Sequence, residues 1–179
     1  MDSRTPKSSI AYPLSDSEVS QLLDGKTHVV VYPDLSQISD IDELLEPHGS
    51  CVILIEFKKD YGHWTCLIKR GEDSIEWFDS YGAKPDSELK QIPLSFRIKS
   101  NQNHTQIIRL LLGSGKKIQY NQYRLQKLKN GINTCGRHCV VRILMKDYNI
   151  DKYAKMLRAD PDMNPDQVVT EVTNQIMGW

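Results

Sequence analysis

The stretch at residues 51–79, CVILIEFKKDYGHWTCLIKRGEDSIEWFD, decides the fold. It contains three runs rich in β-branched and aromatic residues, at 51–57, 64–69 and 74–79. They are separated by Lys58-Lys59-Asp60-Tyr61-Gly62 and by the turn-forming Gly71-Glu72-Asp73. Connections this short join antiparallel neighbours, so the stretch predicts a meander. On its N-terminal side, Ser15 and Glu18 form a capping-box pattern ahead of Val19, Leu22 and Leu23, predicting a helix that stops near Gly25. Residues 28–32 predict a strand stopped by Pro33, and residues 36–45 an acidic helix ended by Pro47.

On the C-terminal side, residues 86–96 have no dominant period. Residues 101–112 predict a helix ended by Gly113-Ser114-Gly115, and residues 118–126 alternate as a strand. Helices are expected at 135–148, 151–158 and 164–177. Helices flanking a mainly antiparallel central sheet make the expected fold class α+β. Residues 1–14, rich in Ser, Pro and charge, read as a flexible N-terminal arm, and residues 15–179 as one domain.

At 179 residues, 39% hydrophobic and 26% charged, the chain is long enough to bury a core without disulfide or metal staples. It has no apolar run near the ~20 residues of a membrane helix, and its polar first residues lack a signal-peptide core. A protein acting without a membrane partner is expected. Net charge is zero, from 23 basic and 23 acidic residues, which excludes a uniformly basic polyanion binder. The distribution is uneven: twelve basic residues and no acidic one lie between Lys90 and Lys146. The rest of the chain carries the opposite excess, so the segment is either a surface for DNA or an acidic partner, or one half of an internal attraction.

The four cysteines are Cys51, Cys66, Cys135 and Cys139. Cys135 sits at a predicted loop-to-helix junction, where free amides and the helix dipole favour a thiolate and can face an oxyanion. Gly136 leaves bare backbone beside the sulfur for a substrate to approach. A thiolate nucleophile needs a base, and the base needs an orienting group. His63 precedes one meander strand and Asp79 ends the next, so strand pairing makes them neighbours. Zinc competes for His63-x-x-Cys66 and Cys135-x-x-His138-Cys139, but His63 and Cys66 point to opposite strand faces and no finger spacing is present. Cys66 and Cys139 read as core, while Arg137 and His138 either line the cleft or face solvent.

Gly62-His63-Trp64, then Phe78-Asp79-Ser80-Tyr81-Gly82, then a Gln-ending strand, then Thr134-Cys135-Gly136-Arg137-His138-Cys139 resemble the adenain and ubiquitin-like-protein protease superfamily of cysteine peptidases. The Cys-Gly-Arg-His-Cys version is most similar to maturation proteases of large DNA viruses, virophages and Polinton-like elements. The resemblance covers about residues 50–145 and implies a papain-like, adenain-type fold. It implies His63 as base, Asp79 as its orienting group and Cys135 as nucleophile. Trp64 would pack over the site, with its amide and that of Gly136 near the oxyanion. The family's oxyanion Gln stands six or seven residues before the cysteine, where this chain has Lys129 and Leu128. The role therefore passes to Gln126, with Gln122 in reserve.

The implied function is a viral cysteine endopeptidase that matures capsid proteins next to small residues such as Gly. No cofactor or metal is required. DNA, bound through the basic 90–146 segment, or a peptide would be an activator, as in adenovirus-type relatives. The resemblance further implies a monomer acting in the host cytoplasm or virus factory and in the virion. The rivals are a deubiquitinase or SUMO-type protease, an acetyltransferase with the same triad, and a DNA-associated structural protein. Cys135 and Gln126 lie in the basic segment and His63 and Asp79 in the acidic remainder, so the site is expected at the seam between them.

Overall fold

The computed structural model describes residues 5–59 and 61–179. Its centre is a five-stranded sheet in sequence order. The strands are β1 (His28–Val31), β2 (Ser50–Lys58), β3 (Tyr61–Lys69), β4 (Ser74–Phe78) and β5 (Lys117–Tyr120). The meander β2-β3-β4 is antiparallel as expected, whereas β1 on β2 and β5 on β4 are parallel edge pairs. The sheet is therefore mixed. Each edge strand is reached by a helical crossover, as parallel pairing demands.

Alternation along β2 sorts the core into two layers. Val52 and Leu54, with Cys66 and Phe78, face the first layer of helices, represented by Leu22, Val140 and Val169. That layer holds α1 (Asp16–Leu22), α5 (Cys135–Leu144), α6 (Ile150–Leu157) and α7 (Pro165–Met177). Ile53 and Ile55, with Leu67 and Trp77, face Tyr32, Leu45 and Leu110 on the other side. Side chains as fully buried as these stabilise by about 1.5–3 kcal/mol each before chain entropy is subtracted.

Several boundaries differ from the sequence expectation. The capping box of α1 forms, with Ser15 and Glu18 reciprocally bonded. The helix expected at 36–45 splits into a 3-10 turn, Tyr32–Gln37, and a short α2, Asp42–Leu45, because Glu43 Oε1 accepts from the amides of Ser39 and Asp40 and starts a new helix there. The pattern-free 86–96 region holds the 3-10 turn Ser87–Gln91 and the start of α3 (Leu94–Lys99). Next comes α4 (Gln106–Gly113). The strand expected at 118–126 ends at Tyr120, since the Asn121 side chain bonds to Asp79 O and to the Tyr123 backbone and turns the chain away from the sheet.

Residues 5–14 are not a loose arm. Ile10 O accepts from the Asn133 amide at 2.8 Å, Ala11 O from the Asn133 side chain, and Lys7 O from the buried Arg137. Leu14 is part of the core. Residues 1–4 of the expected arm lie outside the described residues. No helix among the described residues is long and apolar enough to cross a membrane.

Candidate active site

The site forms where the C-terminal end of β4, the start of β3 and the N-terminus of α5 meet. Cys66 pairs with Phe78, so Asp79, one residue beyond β4, comes beside the segment of β3 that carries His63. Asp79 Oδ1 lies 3.0 Å from His63 Nε2 and accepts the Tyr81 amide at 2.8 Å. This leaves His63 Nδ1 as the nitrogen for a thiol. The Cys135 side chain, on the first residue of α5, faces the imidazole closely enough to raise its affinity for a proton. The Tyr81 ring stacks on His63 with centroids 4.8 Å apart.

All three side chains are shielded: His63 is 3% exposed, Asp79 0% and Cys135 7%. Burial disfavours an imidazolium, but the charge and hydrogen bond of Asp79, followed by the contact with Cys135, outweigh it and hold His63 well above the ordinary histidine value. Burial likewise works against an ionised Asp79. His63, Glu88 and the Tyr81 amide overcome it and keep Asp79 below the usual carboxylate range. The arrangement favours a charged imidazolium facing the sulfur.

Gln126 is buried at the same place although it ends no strand. Its Oε1 accepts Ser80 Oγ at 2.7 Å, and the amides of Leu125 and Gln126 both donate to Ser80 O. With its oxygen held by Ser80, the side chain's NH2 end is left to donate. Gln122 is exposed and shares no strand face with Gln126, which corrects the expectation that both lie on one strand. Gly82 explains why the Asp-Ser-Tyr segment must close with glycine. Its φ is +73°, and a Cβ there would stand 2.9 Å from Gln122 O.

Gly136 serves packing rather than substrate access. A Cβ on it would meet Trp64 Cδ1 at 3.0 Å and Leu14 Cβ at 3.2 Å, so the expected bare backbone is covered by the indole and by the N-terminal segment. Trp64 is fixed there by its Nε1–H, which donates to Leu14 O at 3.1 Å. Beside Gly62 and Trp64 a cleft of about 410 Å3 opens, walled by Leu14, Val31 and Leu54 and rimmed by Asp16 and Asp34.

Arg137 and His138 neither line the cleft nor face solvent. Arg137 is fully buried and donates to Lys7 O, Thr173 Oγ1 and Asn174 Oδ1. His138 Nε2 lies 2.9 Å from Asp166 Oδ1, which also accepts Thr134 Oγ1 at 2.7 Å; Asp166 Oδ2 accepts the Lys127 amide at 3.0 Å. Asp166 thus ties both ends of the loop before Cys135 to α7. The basic segment is broken up in a similar way. Arg142 makes a buried two-point pair with Glu76, Arg109 bonds to Leu35 O and Ile38 O, and Lys116 reaches Asp42, whereas Arg124, Lys127 and Lys129 are exposed.

Among the described residues, the metal-ligating side chains that converge are His63, Asp79 and Glu88, their ligand atoms within 4.8 Å of one another; no cysteine is part of that group. Cys66 and Cys139 are core, and burial pushes the Cys139 thiol well up. Sequence reasoning missed Glu88, which lies in the pattern-free segment, and Asp166, readable only as part of a helix start. Ser80 and Tyr81 stand in the motif, but their partners, Gln126 and the His63 ring, are set by the tertiary structure.

No protein-family model matches the chain. It is 45% identical over 163 residues to the V9 protein of the Sputnik virophage, covering 89% of this chain and 93% of that protein. Among solved structures it superposes on the crystal structure of the ASFV pS273R protease with a TM-score of 0.51 at 16% identity, over 94% of this chain and 68% of that one. The α+β architecture expected from the resemblance is thus the observed one. The chain belongs to the family of the Sputnik virophage V9 protein, and its fold is that of the ASFV pS273R protease.

Proposed function

We propose that the chain is a cysteine endopeptidase that processes virion proteins. The observation that carries this reading is the meeting of Asp79, His63 and the Cys135 thiol in one buried row, on a scaffold like that of a viral protease. His63 Nδ1 takes the Cys135 proton, and the thiolate attacks a peptide carbonyl carbon. The carbonyl oxygen becomes an oxyanion, met by the NH2 of Gln126 and by the amides at the start of α5. His63 returns the proton to the leaving amine, so the C–N bond breaks and a thioester remains. Water, deprotonated by His63, then hydrolyses the thioester and regenerates the thiol. Asp79 holds the imidazole in orientation throughout.

The apolar cleft beside Trp64 offers a seat for a substrate side chain, and the indole packed against Gly136, next to Cys135, favours small residues at the scissile bond. Capsid proteins are the proposed substrates. The exposed Arg124, Lys127 and Lys129, next to Gln126, give DNA a surface from which to activate the enzyme. Counterion release requires that such an effect be strongest at low salt.

The test is cleavage of co-expressed viral capsid proteins by the wild type and by Cys135→Ala, with products mapped by mass spectrometry. Cleavage by the wild type alone is expected; equal cleavage by both would end the assignment. Ubiquitin and SUMO fusions, and acetyl-CoA with an acceptor protein, serve as parallel arms for the rival activities.

A further inference from the structure

Glu88 stands on the 3-10 turn Ser87–Gln91, an element that carries none of the three residues in the catalytic row, yet its side chain is buried against them. Its Oε1 is 4.0 Å from His63 Nε2. Asp79 Oδ1 is occupied by His63 and the Tyr81 amide, whereas Asp79 Oδ2 and Glu88 Oε1 are both buried without a donor. Two ionised carboxylates so close in a dry site repel strongly, and one of them must hold a proton. Asp79 Oδ1 has the imidazole at 3.0 Å and the Tyr81 amide at 2.8 Å to favour its ionised form; Glu88 has weaker support, from Ser87 Oγ at 3.5 Å, its own backbone amide and an imidazole 4.0 Å away.

We propose that Glu88 is a positioning residue, a neutral acid that donates its proton to Asp79 and keeps that carboxylate ionised and aimed at His63. The proposal rests on the reading of Cys135, His63 and Asp79 as a catalytic row. Burial first, then the hydrogen bond and charge of Asp79, push the Glu88 carboxyl up to about 9, and the same contact helps to hold Asp79 down. The other groups around the cluster reinforce this. Tyr81, stacked on His63, stays a neutral phenol because burial pushes it up; Cys135 faces from α5; and Asp166 and Tyr61 act on Tyr81. His63 is the group there held toward positive charge, so a second ionised carboxylate would have one partner already claimed by Asp79.

Alkylation of Cys135 by iodoacetamide, followed by intact-mass spectrometry, requires no substrate, and the other three cysteines are fully buried. Glu88→Gln keeps an N–H donor toward Asp79 and is expected to alkylate within about threefold of wild type between about pH 6 and pH 8. Glu88→Leu removes the donor; alkylation should slow about tenfold or more, and its acid limb should move to higher pH as Asp79 protonates earlier. Infrared difference spectra at neutral pH should contain the C=O band of a protonated carboxylic acid in the wild type and lack it in Glu88→Gln. Equal losses in Gln and Leu, no loss in Leu, or no such band would each overturn the proposal. If Glu88→Leu does not fold, the Gln variant and the infrared band decide. Failure of the underlying reading looks different: Cys135 in the wild type would alkylate with the pH dependence of an ordinary thiol.

Discussion

His138 Nε2 lies 2.9 Å from Asp166 Oδ1, joining the end of the first turn of α5 to the first turn of α7, with both side chains buried. Because Asp166 also accepts from Thr134 and from the Lys127 amide, one carboxylate fixes the whole approach to Cys135. Burial lowers the His138 pKa despite Asp166, so the imidazole is packed in its neutral form.

Asp166→Ala leaves Thr134 Oγ1, the Lys127 amide and His138 without their acceptor. Each stranded buried donor costs about 1–3 kcal/mol. Chemical denaturation should therefore register a loss of about 3 kcal/mol or more, and Cys135 alkylation should slow in the fraction that remains folded. Unchanged stability would mean that water replaces the carboxylate.

Stability should depend on pH through Glu88. The folded protein keeps its proton up to about pH 9. An unfolded glutamate loses it near ~4.3, so between those values unfolding releases a proton and stability falls as pH rises. Glu88→Gln abolishes that linkage. Its Tm relative to wild type should climb steadily from pH 5 to pH 8; parallel Tm curves for the two proteins would contradict it.

The Arg142–Glu76 pair, with both nitrogen–oxygen contacts at 2.8 Å and both side chains fully buried, pins α5 to β4. Glu76→Gln or Arg142→Met alone strands a buried charge and should cost about 3–5 kcal/mol in urea unfolding. A double variant with Leu and Met should recover part of the loss. If it proves no better than the single changes, the cost lies in packing around Tyr153, over whose ring Arg142 sits.

Gly136→Ala tests the contact between Trp64 and the start of α5. The new Cβ meets the indole at 3.0 Å and Leu14 at 3.2 Å, so the ring or the N-terminal segment must give way. Overpacking of this kind costs about 1–3 kcal/mol. Trp fluorescence should shift and Cys135 reactivity should fall more than stability does. A silent substitution would show that the indole has room to move.

The candidate site is legible in local sequence wherever local geometry sets it. The meander follows from three short β-rich runs joined by tight turns, and pairing then places His63 beside Asp79 whatever the rest of the chain does. Cys135 at a helix start is equally local, since the loop and the apolar period of α5 fix it. The fold implied by those motifs agrees with the likeness to the ASFV pS273R protease.

What the sequence by itself determined about this protein is therefore the antiparallel centre, the helix that begins at Cys135 and the neighbourhood of His63 and Asp79. The tertiary structure decided everything that depends on which distant groups share a buried volume. It added parallel edge strands through long crossovers, bent the chain after Tyr120 so that Gln126 meets Ser80, and drew residues 5–14 under Arg137. It buried Arg137 and Arg142 inside the domain, breaking up a charge segment that is continuous only along the chain. It also brought Glu88 to Asp79, a meeting with no sequence signature, because a carboxylate's protonation is set by its neighbours and by the exclusion of water.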